Sequence, residues 1–410
     1  MTASQPVWVT GIGVVGPQGQ GWPALVASLR DPRPLFQPVP ASWREETGVP
    51  DAWIAPLHPA AEAALQPFDT ASADRACAMA LCAADEAWTQ AAPSVHPHRA
   101  GVYWGTGMGG ASSTEQGYRR FLVDRAPLRP MTVPRIMASS PAAQIAMRFR
   151  MQGPNLTYAV ACASAATALG EALLALRAGR VDLAIAGGGE SMLQPGVLAG
   201  WQGLRVLSTQ RQAPTADLAC RPYGAGRTGL VLGEGSAAFV LERPETARAR
   251  GATPLAVLAG YGSSCDATSL VQPQAEGEAN AMRQAIADAG LPRDAIGLVN
   301  AHATGTDAGD VAEAQAIADV FRPGTLPAVC ATKSLHGHLL GAAGAIEAAL
   351  SIASLREQLV PATLGAEPRD PRCAHLHIPG QPLPLALDWV LSNSFAFGGA
   401  NVALVFGRAG

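Results

Sequence analysis

The stretch 156–179, LTYAVACASAATALGEALLALRAG, carries two periodicities in succession. A β-compatible run, LTYAVA, ends at Cys162; small residues follow, and then an apolar pattern at helical spacing begins. A strand handing over to a helix within so short a segment is the building step of an α/β fold. The handover also sets the chemistry of Cys162. The first N–H groups of a helix lack intrahelical partners, and the positive end of its dipole lies there, so a thiolate is stabilised at that point. The same N–H groups suit a tetrahedral oxyanion. On this segment alone a small buried core cysteine reads equally well, because free cysteines are usually packed inside.

Outward from this segment the alternation continues. Short β-branched runs at 7–14, 101–104, 183–186, 236–241, 255–260, 298–301, 328–331 and 402–406 read as strands. Residues 70–91, 163–178, 276–290, 309–321 and 341–357 read as helices. The pattern predicts an α/β fold with buried sheets under helices. The charged segment ERPETARARGAT (242–253) lies between two strand candidates, so a boundary near 250 divides the chain into 1–250 and 251–410. No exact internal repeat links the two parts. Residues 31–60 are proline-rich and predict an irregular surface excursion.

Composition excludes several classes of function. A chain of 410 residues, 48% hydrophobic and 15% charged, holds a large core, and a net charge of −3 gives no global attraction to nucleic acid or an anionic membrane. Seven scattered cysteines without a C-x-x-C pair predict a reducing, cytoplasmic setting. The first residues lack the basic flank of a signal peptide. No stretch of 18 uncharged apolar residues suggests a membrane span, since Glu171 and Glu347 interrupt the alanine-rich runs.

Two distant loops carry histidines that fit a cysteine nucleophile. VNAHATGTDAGD places His302 just after a strand, with Thr304 and Thr306 in a glycine-containing loop. CATKSLHGHLLGAAGAIEAAL places Lys333 and His338 in a loop that runs into a small-residue helix. Each histidine alone reads as a turn residue; with Cys162 they form the usual pattern for covalent acyl chemistry. The H-x-H pairs at 336/338 and 375/377 permit metal ligation, but no further ligand at recognisable spacing accompanies either, and no metal is expected. Near the C-terminus, VLSNSFAFGGANVALVF reads as strand, turn, strand. Gly398 and Gly399 allow positive φ and close backbone approach, and Phe395 and Phe397 flank the turn, where one could gate a pocket.

In this order, VACASA around Cys162, NAHATGT around His302, KSLHGHLLGAAGA with Lys333 and His338, and NSFAFGGAN with Phe397 resemble the β-ketoacyl-acyl-carrier-protein synthases of the elongation type (KAS I/II). The likeness runs almost end to end. It implies a thiolase-like, five-layered αβαβα fold of two similar halves, and a decarboxylative Claisen condensation in fatty acid or polyketide synthesis. Under it, Cys162 takes the acyl chain and His302 and His338 assist loss of CO₂ from malonyl carrier protein. Cys162 and Phe397 supply oxyanion N–H groups, Lys333 fixes local charge and Glu347 is its partner. Thr304 and Thr306 line a phosphopantetheine tunnel, Met108 and Trp201 border the acyl pocket, and Arg205 meets an acidic carrier protein. The large Met108 implies a restricted chain length. The resemblance implies no bound cofactor, substrates delivered on the phosphopantetheine arm of acyl carrier protein, and a homodimer or a heterodimer with a related subunit.

Departures are local. RPYGAGRTGL lacks the family's acidic groups at Gly224 and Thr228, and Asp266-Ala-Thr-Ser269 lacks its histidine. They point towards a specialised secondary-metabolite ketosynthase and predict lost ion pairing nearby. Two alternatives remain: a non-catalytic chain-length subunit, which typically lacks the cysteine, and a coenzyme-A-dependent thiolase-like acyltransferase, which expects a second cysteine where this chain reads NSFAFGGAN.

Overall fold

VWVTGIGVVG, the first strand, is buried along almost its whole length, as happens only where a sheet is covered on both faces. The computed structural model describes residues 5–49 and 51–409. Numbered in chain order, the principal strands are β1 (Val7–Gly16), β2 (Ala100–Gly105), β3 (Asn155–Tyr158), β4 (Leu183–Glu190) and β5 (Gly235–Glu242). They continue as β6 (Ala256–Cys265), β7 (Ile296–Asn300), β8 (Ala328–Cys330), β9 (Trp389–Ala396) and β10 (Ala400–Arg408). Their order is β8-β7-β9-β10-β6-β1-β5-β4-β2-β3, in one sheet to which Gly19–Gln20 adds a short strand beside β1.

This path reads the same way twice. Leaving β1, the chain meets β5 antiparallel, β4 antiparallel to β5, then β2 and β3 parallel. Leaving β6, it meets β10 antiparallel, β9 antiparallel to β10, then β7 and β8 parallel. The two series are not separate sheets, because Val7–Val9 pairs with Ala256–Leu258 across the junction.

Helices complete five layers. α1 (Arg75–Ala91) and α2 (Ser140–Phe149) cover one outer face, and α4 (Ala275–Asp288) with α5 (Asp307–Phe321) covers the other. Between the two series lie α3 (Ser164–Arg177) and α6 (Ala343–Glu357), packed on each other and on the strands to either side. α6 is buried from Ala343 through Leu355, the state of a helix apolar all round. Glycines let the outer helices seat tightly. A Cβ on Gly13 would lie 1.9 Å from the Ala83 carbonyl oxygen in α1, and one on Gly262 would lie 2.0 Å from that of Ala281 in α4. The sequences VTGIG (9–13) and LAGYG (258–262) are therefore matching local signals of the structural repeat.

The segment 31–60 differs from expectation. It holds a strand at Gln37–Pro38, a helix at Ala41–Thr47 and a strand at Trp53–Ala55, which pairs with Leu232–Gly233. Ala52, Trp53, Ile54 and Ala55 are buried in the core wall, whereas 31–49 lies mostly on the surface, so the excursion is there but ordered instead of irregular. Among these short elements only Trp53–Ala55 is held by tertiary burial. No helix among the described residues is long and apolar enough to cross a membrane.

Candidate active site

β3 ends at Tyr158, four residues before Cys162, and a 3-10 turn at Ala161–Ala163 intervenes before α3. Ala161 adopts φ 45°, a strained value for a residue with a Cβ. Ser164 holds that turn: its Oγ accepts from Val160 N at 2.8 Å and donates to Ala161 O at 2.7 Å. Cys162 thus sits at the start of α3 as the sequence predicts, but is almost wholly buried.

His302 follows β7 in a loop held from below by two carboxylates. Glu313 accepts from the N–H groups of His302 and Ala303 at 2.8 and 2.7 Å, and Asp310 accepts from Gly305 N at 3.0 Å. His338 lies beyond the short helix Lys333–His336; its N–H donates to Val231 O at 2.7 Å. These backbones bring Cys162, His302 and His338 together. His338 Nε2 lies 3.0 Å from Cys162 Sγ, the two imidazoles meet edge-on with centroids 5.2 Å apart, and ligand atoms of all three residues lie within 4.8 Å of one another.

Lys333 is fully buried. Its ammonium contacts the Glu347 carboxylate and the His302 carbonyl, and lies 3.3 Å from His302 Nδ1. An ammonium only donates, so Nδ1 accepts and the ring proton resides on Nε2. His338 Nδ1 has no partner among the described residues, which leaves its tautomer free.

The electrostatics correct one expectation. Burial pushes the Cys162 thiol up to about 12, with Lys333 opposing, so desolvation outweighs the helix terminus and the resting group is a thiol. Burial drives both His302 and His338 well below the usual imidazole range, and the Lys333 charge adds to it; both rings are neutral near pH 7. Burial raises Glu347 to about 7 against the pull of Lys333.

A cavity of about 560 Å³ reaches these groups, lined also by Trp201, Arg205, Thr304, Thr306, Phe395, Phe397 and Gly399. The Thr304 and Thr306 hydroxyls are 3.0 Å apart. Phe395 is buried, its ring 6.2 Å from that of His302. Phe397 is 38% exposed and stacks on Trp201 at 5.7 Å. Gly398 and Gly399 have φ of 86° and 74°, as the turn demands. Gly399 faces the cavity and Gly398 does not. Arg205 is exposed on the cavity wall. Met108 is not brought to the cavity: it lies in a neighbouring apolar groove of about 780 Å³ that shares Trp201 and Leu204 with it.

His336 is engaged by Thr332 and the Gly337 carbonyl, and His375 by Ala314 O, so neither H-x-H pair converges. Ion pairing near RPYGAGRTGL is divided: Arg227 binds Asp307 and Asp370 at 2.8 Å each, whereas the buried Arg221 Nε has no partner among the described residues. Glu313 and Asp310 escaped the sequence reading. Their i, i+3 spacing early in α5 was the available signal, but Asp310 in the first turn ordinarily just complements the dipole and Glu313, one turn on, reads as a solvated helix position.

Residues 4–247 match the family described as Beta-ketoacyl synthase, N-terminal domain, and residues 255–367 match Beta-ketoacyl synthase, C-terminal domain. Nodulation protein E of Rhizobium sp. (strain N33) is 36% identical over 98% of each chain. The 3-oxoacyl-[acyl-carrier-protein] synthase 2 of Coxiella burnetii (strain RSA 493 / Nine Mile phase I) is 33% identical over 98% of each. Among solved structures, the ishigamide ketosynthase/chain length factor superposes with a TM-score of 0.90 at 30% identity, covering 100% of both chains. With the Cys-His-His geometry on a thiolase-type fold, these matches place the chain in the β-ketoacyl synthase family of condensing acyltransferases.

Proposed function

We propose that this chain extends an acyl group by decarboxylative condensation with malonyl carrier protein, giving 3-oxoacyl carrier protein. The observation that carries this reading is the convergence of Cys162, His302 and His338 in one cavity, with Lys333 behind them. In the first half-reaction Cys162 sulfur attacks the acyl thioester of the carrier. His338 Nε2 takes the thiol proton, and the carrier leaves as its free thiol once protonated. In the second, malonyl carrier protein loses CO₂ and the electron pair moves to an enolate. His302 Nε2–H donates to that oxygen, and His338 joins it in its other tautomer. The carbanion attacks the acyl-Cys162 carbonyl, with the N–H groups of Cys162 and Phe397 serving the tetrahedral oxyanion. Collapse breaks the bond to Cys162 sulfur, releases the 3-oxo product and leaves a thiolate, which takes a proton from water, the one proton the overall condensation consumes.

Thr304 and Thr306 fit a phosphopantetheine arm, and Arg205 at the cavity rim fits an acidic carrier. Trp201 and Met108 border the groove that would take the acyl chain. The thioester arrives on its carrier, so no resident cofactor is required. The division of labour falls near residue 250, the nucleophile before it and both histidines after.

A homodimer is proposed, with a heterodimer on the same face as the variant arrangement. β3 is the last strand of the sheet, and Tyr118, Phe121, Leu122, Val123 and Val133 expose apolar side chains.

Intact-mass measurement after incubation with a panel of acyl carrier proteins tests the chemistry. One acyl group should add to the wild type and none to Cys162→Ala. His302→Ala should still acylate but lose malonyl decarboxylation by about 10²–10³-fold, the scale of one oxyanion donor. An adduct on the Cys162→Ala variant equal to that on the wild type sinks the nucleophile assignment.

A further inference from the structure

Glu190 ends β4, is completely buried, and has no ion-pair partner among the described residues. Its carboxylate instead gathers backbone from two directions. Oε1 accepts from the Thr106 hydroxyl at 3.3 Å and Met108 N at 3.4 Å, while Oε2 accepts from Gly107 N. The same Oε2 also accepts from Gly341 N at 3.2 Å, three residues after His338. Thr106 Oγ1 in turn accepts from Gly109 N at 3.0 Å, so the whole 106–109 loop hangs on this group.

The surroundings are tight enough for that attachment to matter. A Cβ on Gly341 would lie 2.2 Å from Gly107 N and 2.5 Å from Glu190 Oε2, so the two backbones touch. Gly105, where the loop begins, abuts the first turn of the nucleophile's helix: a Cβ there would lie 2.3 Å from Ala165 N. Leu340, between His338 and Gly341, is held at φ 50°, a conformation a leucine keeps only under restraint. The Gly341 N–H held by Glu190 is the next backbone donor along.

We infer that Glu190 is a positioning residue that ties the loop bearing Met108 to the turn after His338, so that acyl-chain fit and decarboxylation geometry are set together. Met108 borders the apolar groove and His338 the reaction cavity, so one buried carboxylate spans both halves of the site. The inference rests on the condensing-enzyme reading and adds a specificity determinant to it. Ionised, the group makes charge-assisted bonds to several N–H donors; a carboxamide in its place must turn an NH₂ towards one set of them.

The test compares Glu190→Gln with Glu242→Gln, an equally buried carboxylate outside the site, bound to Thr10 and Arg250. Two readouts are followed with a panel of acyl carriers: the chain lengths that acylate Cys162 and are extended, and malonyl decarboxylation by the acyl-enzyme. Glu190→Gln should broaden the chain-length profile and cut decarboxylation at least about tenfold, while Glu242→Gln leaves the profile unchanged. Thr106→Val, which removes one donor to the carboxylate and the acceptor for Gly109 N but keeps Glu190, should move both readouts in the same direction by less. If Glu190→Gln fails to fold, Thr106→Val decides: a wild-type profile and rate there overturn the inference. So does a Glu190→Gln loss that is uniform across chain lengths. A wild-type chain that neither acylates nor condenses overturns the condensing reading itself, and this inference with it.

Discussion

Cys162 sulfur and His338 Nε2, 3.0 Å apart, hold one proton between a thiol raised by burial and an imidazole lowered by it. Both shifts favour the uncharged pair. Going down in pH, His338 stays neutral below the ordinary imidazole value; going up, Cys162 stays protonated to about 12. The reactive neutral pair therefore dominates across about pH 6–9, and the rate of Cys162 acylation should be flat there. A resting thiol reacting only through its free thiolate would instead accelerate about tenfold per pH unit. Stopped acyl-transfer assays across that range distinguish the two. Behind the pair, Lys333 and Glu347 are both fully buried and in contact. Glu347→Gln strands a buried ammonium and should cost about 3–5 kcal/mol of stability, read by denaturant unfolding. A loss under about 1 kcal/mol would mean that Lys333 is held by the His302 carbonyl instead.

At the scale of elements, catalytic geometry depends on how closely backbone can approach backbone. β1 and β6 present glycines to α1 and α4 at matching places, and the helices settle where a side chain would otherwise stand. Gly13→Ala and Gly262→Ala should each destabilise by about 1–3 kcal/mol through overpacking, with similar losses if the two halves are built alike. Thermal unfolding of both variants measures this; a wild-type melting temperature for either would show that its helix can shift without penalty. α5 does different work. Its carboxylates at 310 and 313 reach back to the loop that precedes it, so helix and His302 loop form one rigid piece.

On the scale of the whole molecule, β3 ends the sheet, and Tyr118, Phe121, Leu122, Val123 and Val133 expose apolar side chains. A second copy seated on Tyr118, Leu122 and Val123 would also close the groove that these residues share with Met108. Sedimentation equilibrium should give a dimer for the wild type at micromolar concentration, and a monomer for Leu156→Arg in β3. A wild-type monomer under those conditions removes the proposed homodimer and leaves a heterologous subunit as the occupant of that face.

Alternating apolar runs and strand-to-helix handovers are local properties and were enough for the α/β class. The five-layered arrangement and the reaction type were implied only by the resemblance of the ordered Cys162, His302, Lys333, His338 and Phe397 motifs to a known family. The doubled strand series was faintly legible in VTGIG and LAGYG, but two pentapeptides cannot reveal that strands so far apart follow equivalent paths. Ion partners for Arg227 and the exclusion of Met108 from the reaction cavity were out of reach of the sequence, and the carboxylates beneath His302 left only their spacing as a sign. Burial acts in the same way on charge: position at a helix start suggested a thiolate at Cys162, and only the packing around it made a thiol. Desolvation and side-chain reach depend on which distant segments close around a group, and that is settled by the tertiary fold.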